Sequence, residues 1–182
     1  MELYLLQSIK GSMRNAKVHL ETSFFRYLIA TPSTDPKKAD RQRVTREWWA
    51  HFRQNYELLV SQTVYDEFHD IGPGKISEEE AAQRFALLQE AGRLDLESGI
   101  LELAGRLRKP HGPLPSKAVA DTIHWAVASA YGCDYILTWN FRHLNNASIK
   151  RSAERIIRDY GYESPTLCSP GEMERELGGS DA

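Results

Sequence analysis

Four polar residues stand where their type and placement bear on chemistry: Glu21, Glu67, Asp121 and Asn140. Glu21 closes the short run Val18-His19-Leu20, and Asn140 follows the apolar run ending at Thr138. Glu67 lies about one helical turn beyond Leu58–Ser61. Asp121 interrupts the alanine-rich run Ala118–Ala130, although Asp is a mediocre helix former. Three carboxylates gathered around one point repel each other in water-poor surroundings, so they need a cation or must take up a proton. Hard oxygen donors with open positions suit Mg²⁺ or Mn²⁺. Such an ion polarises a phosphodiester oxygen and acidifies water, a route to cutting a nucleic-acid backbone without a serine or histidine nucleophile. Each residue alone also has a plain reading. Glu67 is a solvated acid, Asp121 a surface one, Glu21 a first-turn acid on a helix dipole, and Asn140 a turn former.

The segments around these residues set where they sit. Val18–Leu20, Leu58–Ser61, Leu94–Leu96, Asp134–Thr138 and Ser164–Cys168 read as short strands. Between them run helical patterns: Phe24–Ala30, then 37–54 with Val44, Trp48, Trp49 and Phe52, then Thr63–His69. Ser77 opens another helix, and 98–108 a further one. Ser116 is placed to cap the helix bearing Asp121, which Gly132 ends, and Ser148–Tyr160 is a basic helix. Alternating strands and helices predict an α/β chain with a parallel sheet covered on both faces. Ligands of such sheets gather at the carboxyl ends of the strands, where Glu21 and Asn140 fall. Residues 1–16 read as an extra N-terminal segment, with Met13 an alternative start. Residues 17–170 form the domain, and 171–182 a frayed tail.

At 182 residues, 41% hydrophobic and 26% charged, one soluble globular domain is expected. A net charge of -2 argues against a strongly basic nucleic-acid coat, but leaves room for a local basic patch. Two distant cysteines, with no CxxC pair, argue against a zinc site or disulfide framework and suit a reducing cytoplasm. The opening residues lack a signal-peptide core, and no run reaches membrane-spanning length, so a cytoplasmic location is expected. Neither a phosphate-binding GxxxxGK[ST] loop nor a GxGxxG fingerprint occurs, which weighs against nucleotide-driven chemistry.

Several further residues flank the four. His124 lies three residues after Asp121 on the same helix face, and reads as a packed or hydrogen-bonded neighbour or as a participant in catalysis. His143 lies in the Asn140 loop, where it either contacts phosphate or is solvated. Trp48, Trp49 and Trp125 suit a core or a dimer contact, whereas Trp139 adjoins the site and could stack a base. Basic residues cluster at Arg41, Arg43 and Arg46, at Arg106, Arg108 and Lys109, and at Lys150, Arg151, Arg155 and Arg158. A cluster lining the acidic pocket would hold phosphates.

Four pieces of sequence together resemble the PIN-domain family and, within it, the VapC-like toxins of bacterial toxin–antitoxin pairs. They are Val18–Ser23, Ser61–Glu67, Lys117–Ala126 and Asp134–His143, and the resemblance spans Lys17 to Cys168. It implies a three-layer α/β/α sandwich with a central, mostly parallel sheet. It further implies an Mg²⁺- or Mn²⁺-dependent endoribonuclease held in check by a small antitoxin, and a homodimer with the helix near Trp48 as interface. Carried over, Glu21, Glu67 and Asp121 bind the metal or orient water, Asn140 takes the fourth position, and Thr22 and Thr138 supply supporting hydroxyls. Two positions depart from the pattern. Glu21 stands where Asp is common, adding a C–C bond of about 1.5 Å. Asn140 also stands where Asp is common, and an amide brings neither charge nor a base. Three negative charges in place of four imply weaker metal binding. The alternative reading is therefore an RNA- or protein-binding module that has lost its cutting activity. Asp66 is a possible substitute acid, although adjacent helical residues face different directions.

Overall fold

The computed structural model describes residues 15–69, 78–140 and 147–178. Five parallel strands form one sheet: β1 (Lys17–Leu20), β2 (Glu57–Ser61), β3 (Gly92–Leu94), β4 (Tyr135–Leu137) and β5 (Thr166–Cys168), in the order β3-β2-β1-β4-β5. The helices are α1 (Thr22–Ile29), α2 (Pro36–His51), α3 (Gln62–His69), α4 (Glu78–Leu88), α5 (Ser98–Leu107), α6 (Val119–Ala130), α7 (Ala147–Asp159) and α8 (Pro170–Gly178). A short 3₁₀ turn, Arg53–Asn55, follows α2. Helix α2 starts where its sequence dictates. The Asp35 carboxylate accepts the Lys38 N–H at 3.0 Å, and Pro36 needs no donor of its own at the first helical position.

The strands are apolar on both sides because both sides are covered. Val18, Leu20, Val60, Leu137 and Cys168 face one half of the core, with Phe24 and Phe25 of α1, Trp48 of α2, Val64 of α3 and Met173 of α8. Leu59 and Ile136 face the other, with Leu103 of α5, Trp125 of α6 and Ile157 of α7. The expected three-layer α/β/α arrangement is therefore present. Cys133 and Cys168 lie in different halves of the core.

The chain walks from β1 outward to β3 with its helices on one face. It then returns across β1 to β4 and β5 with α5, α6 and α7 on the other face. Right-handed crossovers require this change of face when the direction of travel reverses. The reversal leaves a crevice at the carboxyl ends of β1 and β4.

Three local expectations are corrected. Ser116 does not cap α6. Residues 115–118 make a turn of their own, closed by Ala118 N–H to the Pro115 carbonyl at 3.0 Å, so the helix begins at Val119. Strand β3 pairs from Gly92, in register with Leu59, and Leu94 closes it instead of opening it. The expected tail at 171–182 is helical as far as Gly178, because Met173 buries its side chain in the core beside α2. Trp48 is fully buried in its own core and offers nothing to a second subunit. The extra N-terminal segment through Arg14, and with it Met13, lies outside the described residues, as do Ser77 and His143. Among the described residues no helix is long and apolar enough to cross a membrane.

Candidate metal centre

Glu21 is the first residue past β1, and its N–H donates to the Leu137 carbonyl of β4 at 3.1 Å. That bond extends the β1–β4 ladder by one residue and turns the carboxylate into the crevice. The side chain is 8% exposed. It accepts the Thr138 hydroxyl at 2.9 Å and also the Ser23 hydroxyl. Thr138 in turn accepts the Asn140 N–H at 2.9 Å, and Ser23 accepts the Trp139 N–H at 2.8 Å. The loop after β4 is thereby tied to the start of α1 through the groups that orient Glu21.

Helix α3 starts directly after β2, which carries Glu67 to the same edge of the sheet. The Thr22 hydroxyl and His124 Nε2, the latter at 3.2 Å, both reach its carboxylate. Burial alone would push the Glu67 carboxyl up. The hydrogen bonds from His124 and Thr22, together with the charge attraction of His124 and Arg26, outweigh it and hold the group below the ordinary glutamate value. Asp121 sits in the first turn of α6, where the helix dipole favours an acid. Its Oδ1 accepts the Asn140 side-chain amide at 2.7 Å.

The four sequence-predicted residues all line one cleft of about 550 Å³. Within it, Glu21, Glu67 and His124 form the tightest donor set. Each offers one atom within 4.8 Å of the others, a spacing that fits a single divalent ion. Asp121 shares the cleft without belonging to that set, and its partner Asn140 acts as donor to it.

Sequence reading missed His19. It lies in β1 on the α6 side, fully buried, with its Nε2 3.2 Å from His124 Nδ1. Burial, reinforced by the neighbouring His124, lowers its pKa well below the ordinary value, so the ring is neutral at neutral pH. The signal was a histidine between Val18 and Leu20 in a strand buried on both faces.

The basic residues of the cleft were missed in part. Arg26, Lys38, Arg41 and Lys117 line it. Of the first sequence cluster only Arg41 takes part. Arg43 pairs with Asp40 and Glu47, and Arg46 donates to the carbonyls of Leu28 and Ala30 at the end of α1. Helical spacing could have indicated Arg26, four residues after Thr22 on one face of α1. Trp139 is fixed in the cleft wall: its Nε1 donates to Thr45 at 2.8 Å, and the Arg41 guanidinium lies 5.2 Å from its ring centre.

Solved structures are similar to this chain in fold. One is VapC20 of Mycobacterium tuberculosis, described as a sarcin-ricin loop cleaving toxin. It is 15% identical, with 68% of this chain and 90% of that chain covered, at a TM-score of 0.52. Another is FitAB bound to an IR36 DNA fragment. It is 13% identical, with 84% and 94% covered, at a TM-score of 0.53. The fold is that of a VapC-like PIN domain. No family model matches the sequence, and no curated protein is similar to it in sequence. The resemblance read from four short pieces is thus matched at the level of fold. In this fold the crevice at the β1–β4 edge is where the acids meet.

Proposed function

We propose that this protein is a metal-dependent endoribonuclease that hydrolyses RNA phosphodiester bonds, the toxin of a toxin–antitoxin pair. The observation that carries the reading is the convergence of Glu21, Glu67, Asp121 and Asn140 on one cleft at the topological switch point of a PIN fold. The description of VapC20 as a toxin that cleaves the sarcin-ricin loop supports RNA as the substrate class.

Glu21 and Glu67 would hold an Mg²⁺- or Mn²⁺-class ion, with Asp121 ligating it or orienting water. When bound, the ion would supply polarisation of a phosphodiester oxygen and charge stabilisation. The chain's own groups do the rest. Thr138, Ser23 and Thr22 fix the two glutamates before substrate arrives, so little reorganisation is left for the reaction. Arg26, Lys38, Arg41 and Lys117 hold backbone phosphates around the acidic floor. Trp139, anchored by Thr45 and faced by Arg41, offers a ring for an unpaired base. A small antitoxin and a second copy of the chain are the partners in this reading.

Purified protein with Mn²⁺ or Mg²⁺ is expected to cleave RNA, chelation to stop it, and Asp121→Asn to abolish it. Equal cleavage by wild type and variant would remove Asp121 from the mechanism. The contact between Asn140 and Asp121 favours one second reading, a domain that binds RNA or protein without cutting, since the amide blunts that acid instead of adding charge. RNA retention with no metal-induced rise in melting temperature would select it.

A further inference from the structure

We propose that His124 is an inner ligand of the metal, positioned by His19, and that the centre therefore prefers a first-row transition ion such as Mn²⁺ over Mg²⁺. The inference rests on the metal-dependent reading above, and adds a ligand and a selectivity to it.

Helix α6 directs His124 to the sheet edge, three residues after Asp121. Its two ring nitrogens point opposite ways. Nε2 faces the Glu67 carboxylate at 3.2 Å, and Nδ1 faces His19 Nε2 at 3.2 Å. Nε2 is thus the atom His124 contributes beside the Glu21 and Glu67 oxygens, all within 4.8 Å of one another.

An imidazole that ligates through one nitrogen carries its proton on the other and donates it to a neighbour. That neighbour fixes the tautomer and the ring plane. His19 is placed for this task. It is fully buried in the central strand, where an apolar side chain would pack at no desolvation cost, and its Nε2 lies against His124. The His19 Nε2 that faces His124 Nδ1 is the atom placed to accept that proton. The burial of a second histidine behind the first is accounted for by this pairing.

The donor set sets the ion. Carboxylate and water oxygens suit Mg²⁺, which gains little from nitrogen, whereas imidazole favours the transition ions. Two carboxylates and one imidazole, with positions left open, move the centre toward that class.

Pulsed EPR of the full chain with stoichiometric Mn²⁺ tests the ligand directly, and calorimetric titration with Mn²⁺ and with Mg²⁺ tests the preference. Nitrogen hyperfine coupling from one histidine is expected, together with an Mn²⁺ affinity on the order of tenfold or more above that for Mg²⁺, comparable to what a supporting partner contributes. His124→Gln should remove the coupling and most of the preference. His19→Leu should keep the coupling while weakening Mn²⁺ binding by about 10–100-fold. If His124→Gln does not fold, the wild-type spectrum decides alone. Bound Mn²⁺ without nitrogen coupling overturns the inference, and would leave His124 as an ion-pair partner of Glu67 in an all-oxygen metal site. Failure to bind either ion would overturn the metal-dependent function as well.

Discussion

One hydroxyl carries two tasks at this site. Thr138 is 1% exposed. It donates to Glu21 and accepts the backbone N–H of Asn140, both at 2.9 Å. Removing it strands the loop N–H and leaves that Glu21 oxygen with the Ser23 hydroxyl as its remaining donor. An unsatisfied buried group costs about 1–3 kcal/mol, more than the net worth of the bond itself. Thr138→Val keeps the shape and deletes the hydroxyl. It is expected to lower stability by that amount in a urea titration, and to weaken metal binding on the order of tenfold or more through loss of an outer-shell partner. Thr138→Ser should restore most of both. An unchanged denaturation midpoint in the valine variant would show that the two bonds do not hold the site together. The residue types were legible at this scale, because a polar group just past a strand end falls where ligands of a parallel sheet gather. Their pairing was not. Whether Asn140 faces a metal or donates to Asp121, and whether His124 meets Glu67, depends on side-chain directions that spacing leaves open.

Strand-and-helix alternation placed all five strands within a few residues, since short apolar runs bounded by turn residues have few other uses. The departures lie where local sequence competes with packing. Pro115 closes a turn that delays α6 past Ser116, and Gly92 can start β3 because a side chain there would meet Leu59 Cδ2 at 3.0 Å. Helix α8 was unreadable from its polar sequence. Met173 anchors it, 1% exposed, among Trp48, Cys168 and the rest of that half of the core. Met173→Ala is expected to cost about 2–5 kcal/mol, read as a lower denaturant midpoint with the slope unchanged. A loss below about 0.5 kcal/mol, the range of an ordinary surface change, would mean α8 is only loosely attached. A second element-scale constraint lies in the connection from α5 to α6. A Cβ on Gly112 would stand 2.1 Å from the Arg106 carbonyl oxygen and 2.3 Å from the Leu107 carbonyl carbon. Both are backbone atoms that cannot swing aside. Gly112→Ala should therefore destabilise by about 1–3 kcal/mol, the usual range for overpacking. A thermal unfolding curve matching the wild type would show that the loop has another conformation available.

At the scale of the molecule, composition and the proposed function pull in different directions. A net charge of -2 gives no long-range attraction for a polyanion, and an acidic floor adds local repulsion. A chain that binds RNA must therefore concentrate its cations where they count. The sequence showed three basic clusters and could not rank them. The fold ranks them by bringing Arg26, Lys38, Arg41 and Lys117, from three separate stretches of chain, to one cleft. Arg158 of the α7 cluster lies away from it, beside Tyr162 in a separate depression. If phosphates sit on the cleft residues, each contact releases counterions, and the log of affinity falls against the log of salt by about 0.7 per contact for a single strand. Binding measured on the Asp121→Asn background, so that no RNA is cut, should show this dependence. Adding Lys38→Gln and Lys117→Gln should lessen the slope by about 1.4, two contacts at that increment. The same double change at Arg43 and Arg158, one engaged with Asp40 and Glu47 and the other outside the cleft, should leave the slope where it was. An identical slope in both double variants would mean that the RNA follows another face of the protein. A flattening confined to the cleft pair would place the phosphate track directly over Glu21 and Glu67.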